Sequence, residues 1–464
     1  MKRKVLILLL VVAMLVPMFA ACGDTAGTPS SAPTASAPVT GGEPTPVTPP
    51  PPPADKLTIN WWNSWTSNDG NVMRELVDYY NENNKDDIYV SLDIVIAQSL
   101  TEKITASLLS GTAPELYNGS VSSEYSVNGQ LVPIDDIWEK TKLQKDDFYE
   151  GVLDYCYWDN TLYGIPFQLS GYFLFYNTDI LDRAGVEWQG VDFATWNDLI
   201  EVCKTVNTLN DPNIAPGGLN PNHDQATGVL AFLSSYGAKW MSGETFADFQ
   251  SEIGNTSSEF KEALTLLKKT YDDGTWTSDV ASGDLASSFR GEQCATLIDG
   301  AWLIIGSKEN NVPFNLNVIP GGPAGRFVGG RPSQMVLLKG NEGERKDATY
   351  KFIEYWNDNL SEDRIREKPP VYDWSYVCGY QSYLKSVNED PDLTSDPMFI
   401  ATSKFTDYVV PSYPFPVAMY RSSHIQNNIL KVLYQGVIFG TSNVDSAIPV
   451  AEAELTALLE EMRP

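Results

Sequence analysis

The sequence predicts an α/β protein with room for two domains, and three observations carry that expectation. The stretch from Lys56 to Asn118 reads as strand, helix, strand, helix, strand, an order that implies right-handed crossovers and a parallel sheet. From Gly171 the chain runs Tyr172, Phe173, Leu174, Phe175, Tyr176, aromatic or apolar on both faces, as in a strand covered from each side. About 410 residues follow a Pro-rich segment near the N-terminus, enough chain for two sizeable cores.

The elements follow in order. Lys56–Asn60 is a strand with Leu57 and Ile59 inward, running into a polar-aromatic loop, Trp61-Trp62-Asn63-Ser64-Trp65. Asn68 or Asp69 caps a helix whose face carries Val72, Leu76 and Tyr80. Ile88, Val90, Leu92, Ile94 and Ile96 alternate as in a half-buried strand. Ser99 and Glu102 have the spacing of a capping box before a stripe of Leu100, Ile104 and Leu108. Gly111 ends that helix, and Pro114 prevents its restart. Ligands of such sheets bind beyond the carboxyl ends of the strands, which places Trp62, Asn63, Trp65, Tyr117 and Asn118 on one rim. Leu162–Ser170 reads as a connection, punctuated by Gly164 and Pro166. Thr195 and Asp198 cap a helix carrying Leu199, Ile200, Cys203 and Val206; Asp211–Asn222 is a loop; Phe260, Leu264, Leu267 and Tyr271 mark another helix. Two amphipathic helices close the chain, Gln426–Gly436 and Val444–Met462, and Pro369–Pro416 is the least legible stretch.

Before the folded part, Lys2, Arg3 and Lys4 precede a short apolar run, Val5–Val16, a targeting pattern rather than a spanning helix. Phe19-Ala20-Ala21-Cys22 resembles a lipobox with Phe19 in place of the usual Leu. The resemblance implies a lipoprotein signal peptide over 1–21 and a lipidated Cys22, with two or more acyl chains giving a stable anchor. An ordinary secretory signal is the alternative; the position of Cys22 at the cleavage site favours lipidation. Residues 22–54 are Pro, Thr, Ser, Ala and Gly, a linker with nothing to bury.

Composition narrows the function. Lys+Arg 32 against Asp+Glu 60 gives a net charge of −28, which phosphate backbones repel, so the charge argues against nucleic acid as a partner. Cys156, Cys203, Cys294 and Cys378 are isolated and lack metal-ligand spacing, so buried free thiols are expected. Only His223 and His424 occur, which leaves few candidates for His-based triads or zinc. No phosphate-binding Gly-Lys-Ser/Thr loop appears. Trp 12 and Tyr 23 are high counts, many of them beside Gly, Asn, Ser and Pro, where aromatic rings serve as binding platforms.

Tyr163-Gly164-Ile165-Pro166, then Tyr176-Asn177-Thr178 and Leu181, resembles the crossing into the second lobe of family-1 extracellular solute-binding proteins of ABC transporters, the group that includes maltose-binding protein. Leu100–Pro114 followed by Glu115-Leu116 resembles the family's opening pattern, with Glu115 where Asp is usual. Tyr236–Trp240 resembles its Gly-Gly turn near the cleft. Ala295–Trp302 resembles its strand-to-helix turn, and Asn317–Gly322 with Phe327–Gly330 its return crossing. The resemblance runs from Lys56 to Met462, interrupted mainly at Pro369–Pro416.

The resemblance implies a two-lobed periplasmic-binding-protein-like fold of type II. The N-terminal lobe would be 55–165 and 326–362 and the C-terminal lobe 166–325 and 363–464, hinged near Ile165, Gly322 and Glu362. It implies a monomer without cofactor that binds a carbohydrate, delivers it to a permease, and is lipid-anchored at the extracellular face. The implied ligand residues are Trp62, Asn63, Trp65, Tyr117, Asn118, Ser170, Tyr172, Trp240, Asp299, Trp302, Gly330 and Arg331, with Trp302 stacking on the sugar. A secreted polysaccharide-degrading enzyme is the weaker reading, since sugar hydrolysis needs two flanking carboxylates and no glycosidase motif is present. A binding protein for a peptide, amine, metal or other solute is the third.

Overall fold

The computed structural model describes residues 52–121, 124–219, 227–243, 248–277, 285–404, 409–411 and 424–462. The signal segment, Cys22, nearly all of the linker, Asn220–Asn222 and His223 lie outside the described residues. Pro49–Pro464 forms one compact unit.

The first lobe opens with β1 (Leu57–Asn63), α1 (Asp69–Asn83), β2 (Ile88–Ile94), α2 (Ala97–Ser110) and β3 (Leu116–Gly119). β1 pairs parallel with β2 and β3, as the alternating order implies. β1 runs further than the sequence reading placed it: Trp61, Trp62 and Asn63 belong to the strand rather than to a loop. The reason is packing, because Trp61 is 0% exposed and meets Phe352, Trp356 and Phe167 at 5.2–5.9 Å. α2 also starts earlier than expected. Ile96 is its N-cap, 67% exposed, so Ser99 lies inside the helix and forms no capping box. Gly111 ends α2 in the left-handed conformation, as expected.

β4 (Gly164–Ser170) is a strand where the sequence reads as a connection. It pairs with β8 (Val328–Leu337), which runs antiparallel to both β4 and β3. Pro166 offers no N–H to a ladder, yet it sits in an edge strand where the register shifts between Ser333 and Gln334. The first residues of β8 pair parallel with β9 (Val409–Pro411), completing a six-stranded mixed sheet.

The second lobe begins at β5 (Tyr172–Asn177), every residue of it buried. It continues through α3 (Thr178–Ala184), α4 (Trp196–Asn207), α5 (Ser257–Asp272), β6 (Thr296–Gly300), α6 (Leu303–Glu309) and β7 (Phe314–Val318). β5 is the centre of an antiparallel three-stranded sheet, β6–β5–β7. Thr195 and Asp198 form the expected capping box on α4. α7 (Glu344–Asn357) returns to the first lobe, and α8 (Pro370–Cys378) opens the stretch that was least legible. α9 (Lys431–Ile438) and α10 (Val444–Met462) end the chain. The four described cysteines are free and buried.

The change from the first sheet to the second falls at Gly171, between β4 and β5. The expected boundary at 165/166 lies inside β4, where Ile165 is paired with Met335. Gly322 lies on the return between β7 and β8, with its N–H donating to Gly325 O at 3.0 Å. Glu362 follows α7.

Candidate functional site

Gly171 is the joint around which half of the candidate residues gather. Ser170, the last residue of β4, is opposite Arg331 and one register step from Gly330 of β8. Tyr172, the first residue of β5, is opposite Gly300, and Phe173 is opposite Asp299. Ala301 N–H donates to Gly171 O at 3.3 Å, so the turn into α6 is tied to the crossing. Trp302 is the N-cap residue of α6 and half-buried. Its ring stands edge-on to Tyr172 at 5.2 Å and 89°. Asp299 Oδ1 accepts the Gly300 N–H at 2.8 Å. Ser170 Oγ accepts from Gln168 Nε2 at 2.7 Å, and Gln168 Oε1 from Trp374 Nε1 at 2.7 Å. Strand alternation and one glycine thus bring Ser170, Tyr172, Asp299, Trp302, Gly330 and Arg331 to one place.

The first-lobe candidates divide differently. Trp62 is half-buried, with Lys103 Nζ 3.9 Å from its ring centroid; Lys103 is ion-paired to Asp93. Tyr117 is 5% exposed, because its ring lies across Gly119 and edge-on to Tyr125 in a small core with Leu100 and Ile104. Asn118 is buried and accepts from Trp61 Nε1 through Oδ1; its Nδ2 has no partner among the described residues. Asn63 is 0% exposed, and its amide reaches Met73 Sδ at 2.9 Å and the Trp65 N–H at 3.2 Å. Its side chain therefore shapes the loop that follows it. Trp65 is half-buried against Phe167 and Trp374, at 4.9 and 6.1 Å. Trp240 is the remaining aromatic candidate. It is 9% exposed within the main hydrophobic core, its carbonyl accepting from Glu252 N–H at 3.0 Å.

Sequence reasoning missed Asp69 and Tyr380. Asp69 reads as a helix cap, yet it is 1% exposed and accepts from the Tyr380 hydroxyl at 2.8 Å. Burial pushes its carboxyl up to about 6, opposed by the Tyr380 hydroxyl and the Gly70 N–H. The available signal was Gly70 directly after Asp69: a Cβ there would meet Trp65 O at 2.2 Å, so the loop turns tightly inward. Tyr380 lies in Pro369–Pro416, and nothing in its spacing announces the contact. A groove of about 440 Å³ beside α3 and α4 is lined by Val186, Asp192, Phe193 and Val202 among others; none of the candidate residues borders it.

The fold is that of two-lobed, maltose-binding-protein-like binding proteins. An ABC substrate-binding protein of Listeria monocytogenes, solved with cycloalternan, superposes with a TM-score of 0.73 at 19% identity, covering 88% of this chain and 100% of that one. The GacH receptor of Streptomyces glaucescens, solved unliganded and with acarbose, gives 0.72 at 15% identity, covering 87% and 99%. The maltotriose-bound MalE domain of Bdellovibrio bacteriovorus gives 0.70 at 17% identity, covering 87% and 100%. The chain belongs to the bacterial extracellular solute-binding protein family, whose sequence profile matches residues 75–401. A putative binding protein of Brucella abortus is 22% identical over 278 residues, 58% of this chain. The match spans 64% of that relative's length. The sn-glycerol-3-phosphate-binding periplasmic protein of Agrobacterium fabrum is 20% identical over 338 residues, 67% of this chain and 71% of that protein.

Proposed function

We propose that the protein captures a carbohydrate, an oligosaccharide in the first instance, and delivers it to an ABC transporter permease from the outer face of the membrane. The observation that carries this reading is the half-buried Trp302 at the turn into α6, beside the joint at Gly171. An indole held there offers a flat face to sugar C–H groups, while the polar groups around Ser170 and Asp299 suit hydroxyls. Family membership and the ligands named for the similar structures support it. The two lobes then close on the ligand about the Gly171 crossing. Binding proceeds without turnover, and Cys22 carries the lipid that holds the monomer at the surface. The likeness to a glycerol-3-phosphate-binding protein favours a second reading, a phosphorylated polyol.

Thermal shift with mono- and oligosaccharides on one side and glycerol-3-phosphate on the other separates the two readings. A ligand at one hundred times its Kd adds about 2.7 kcal/mol of stability. The expected result is a raised melting temperature with an oligosaccharide, and recovery of that sugar intact after long incubation. A shift with glycerol-3-phosphate alone would replace this reading by the second, and shortened sugar would restore the enzyme reading.

A further inference from the structure

We propose that Asp69 and Tyr380 are a positioning pair: Asp69 holds Tyr380, and through it fixes the Ser64–Asn68 loop and the Gly379–Gln381 crossover against α6. The functional weight of this pair rests on the reading that a ligand is held around Gly171.

The contacts converge on Tyr380 and its two neighbours. Asp69 is the first residue of α1; its Oδ2 accepts from Tyr380 at 2.8 Å and its Oδ1 from Gly70 N–H at 2.9 Å. Tyr380 is 1% exposed and stacked on Trp374 at 5.2 Å and 15°. Trp374 stands edge-on to Trp65 at 6.1 Å. Gly379, one residue earlier, has φ +79° and lies against Ile304 of α6, whose Cδ1 would be 2.4 Å from a Cβ. Gln381, one residue later, exchanges backbone bonds of 3.1 and 3.2 Å with Leu169, just before Gly171. The first-lobe loop, the crossover and the second-lobe helix therefore meet at Tyr380, and Asp69 anchors it.

The groups facing this carboxyl are the Tyr380 hydroxyl and the Cys378 thiol, with Asp373 of α8 and Lys308 and Glu309 of α6 acting on Cys378. Among the described residues none of the ion pairs includes Asp69. Its carboxyl, raised to about 6 by burial, loses its charge in mildly acidic solution. A charge-assisted hydrogen bond is about twice as strong as a neutral one, so protonation loosens the hold on Tyr380 and on Trp65 beside it.

The test uses the ligand-free full chain, following tryptophan fluorescence and near-ultraviolet circular dichroism from about pH 4.5 to 8. A step with a midpoint near 6 is expected. Asp69→Asn abolishes it. Tyr380→Phe moves the midpoint upward, because the hydroxyl is what favours the charged carboxylate; a Tyr380 that only fills space would leave the midpoint where it is. A wild-type chain without the step, a step that survives Asp69→Asn, or an unmoved midpoint in Tyr380→Phe overturns the proposal. If Asp69→Asn fails to fold, the Tyr380→Phe midpoint decides alone. The step with its Tyr380→Phe shift, in a chain that binds none of the sugars tried, supports the pair and overturns only the carbohydrate reading.

Discussion

Gly300 is the floor beneath the Trp302 ring. A β-carbon built on Gly300 would meet three carbons of that indole at 2.2, 2.2 and 2.5 Å, and Tyr172, opposite Gly300 in the sheet, meets the same ring edge-on. The ring is thus seated before any ligand arrives, which reduces the ordering cost of binding.

This seating separates two ways of losing affinity. Trp302→Ala removes the proposed platform, and a buried aromatic anchor is worth about 2 kcal/mol or more, roughly a thirtyfold loss. Gly300→Ala keeps the indole but forces it off its floor, so affinity falls while the tryptophan emission shifts. Calorimetry with the ligand found by thermal shift reads both. Either variant should melt close to wild type; a collapse of about 3–5 kcal/mol in Trp302→Ala would instead mark a core residue.

Asp69 gives stability a definite pH dependence. Its carboxyl is raised from 3.8 to about 6 in the folded protein, so the folded state binds this proton more tightly than the unfolded one. The contribution is fully present below about pH 4 and is lost as the pH rises through about 6, amounting to about 3 kcal/mol across that window. Urea unfolding of wild type and Asp69→Asn on both sides of the window isolates the term. The variant should gain on wild type as the pH rises, and a pH-independent difference between them would contradict the assignment.

Closure at Gly171 predicts a smaller radius of gyration in saturating ligand, measured by small-angle scattering. The chain passes between sheets at Gly171 and again between Val318 and Val328, and Gly379 lies against Ile304 of α6. An unchanged radius at saturation would mean that the lobes do not close.

The proposed lipidation of Cys22 predicts that Cys22→Ser releases the protein into the medium, because acyl chains at that residue would supply the anchor. Fractionation of the two forms is the measurement, and a variant that stays with the membrane would remove the lipobox reading.

Much of the architecture was legible because it is written in local periodicity. The alternation from Ile88 to Ile94, the unbroken apolar run of Tyr172–Tyr176 and the Thr195–Asp198 box all fold as their patterns state. The misreadings share a cause: a distant partner overrides the local signal. Pro166 argues for a connection, but an edge position and a register shift in β8 accommodate it. Trp61 reads as part of a polar-aromatic loop, but α7 supplies Phe352 and Trp356 to cover it. The candidate residues grouped at Gly171 were named through resemblance. Tyr117 was placed with the third strand and Asn63 in a loop, and the sequence does not disclose that Gly119 draws the Tyr117 ring inward or that Met73 and Trp65 occupy the Asn63 amide. Tyr380 was invisible because its meaning depends on Asp69, far away in the chain.

The four buried thiols have a practical consequence. Burial raises Cys156 and Cys378 well above the usual thiol range and Cys203 and Cys294 to about 12, so each is protonated and inert while its surroundings stay closed. Cys156 precedes β4, Cys378 ends α8 at the crossover, and Cys203 and Cys294 bracket Thr296 in the second lobe. An alkylating reagent therefore meets three separately placed clocks. The rates at which the native cysteines are modified report how often the first lobe, the crossover and the second lobe each breathe, without a label having to be engineered into the chain.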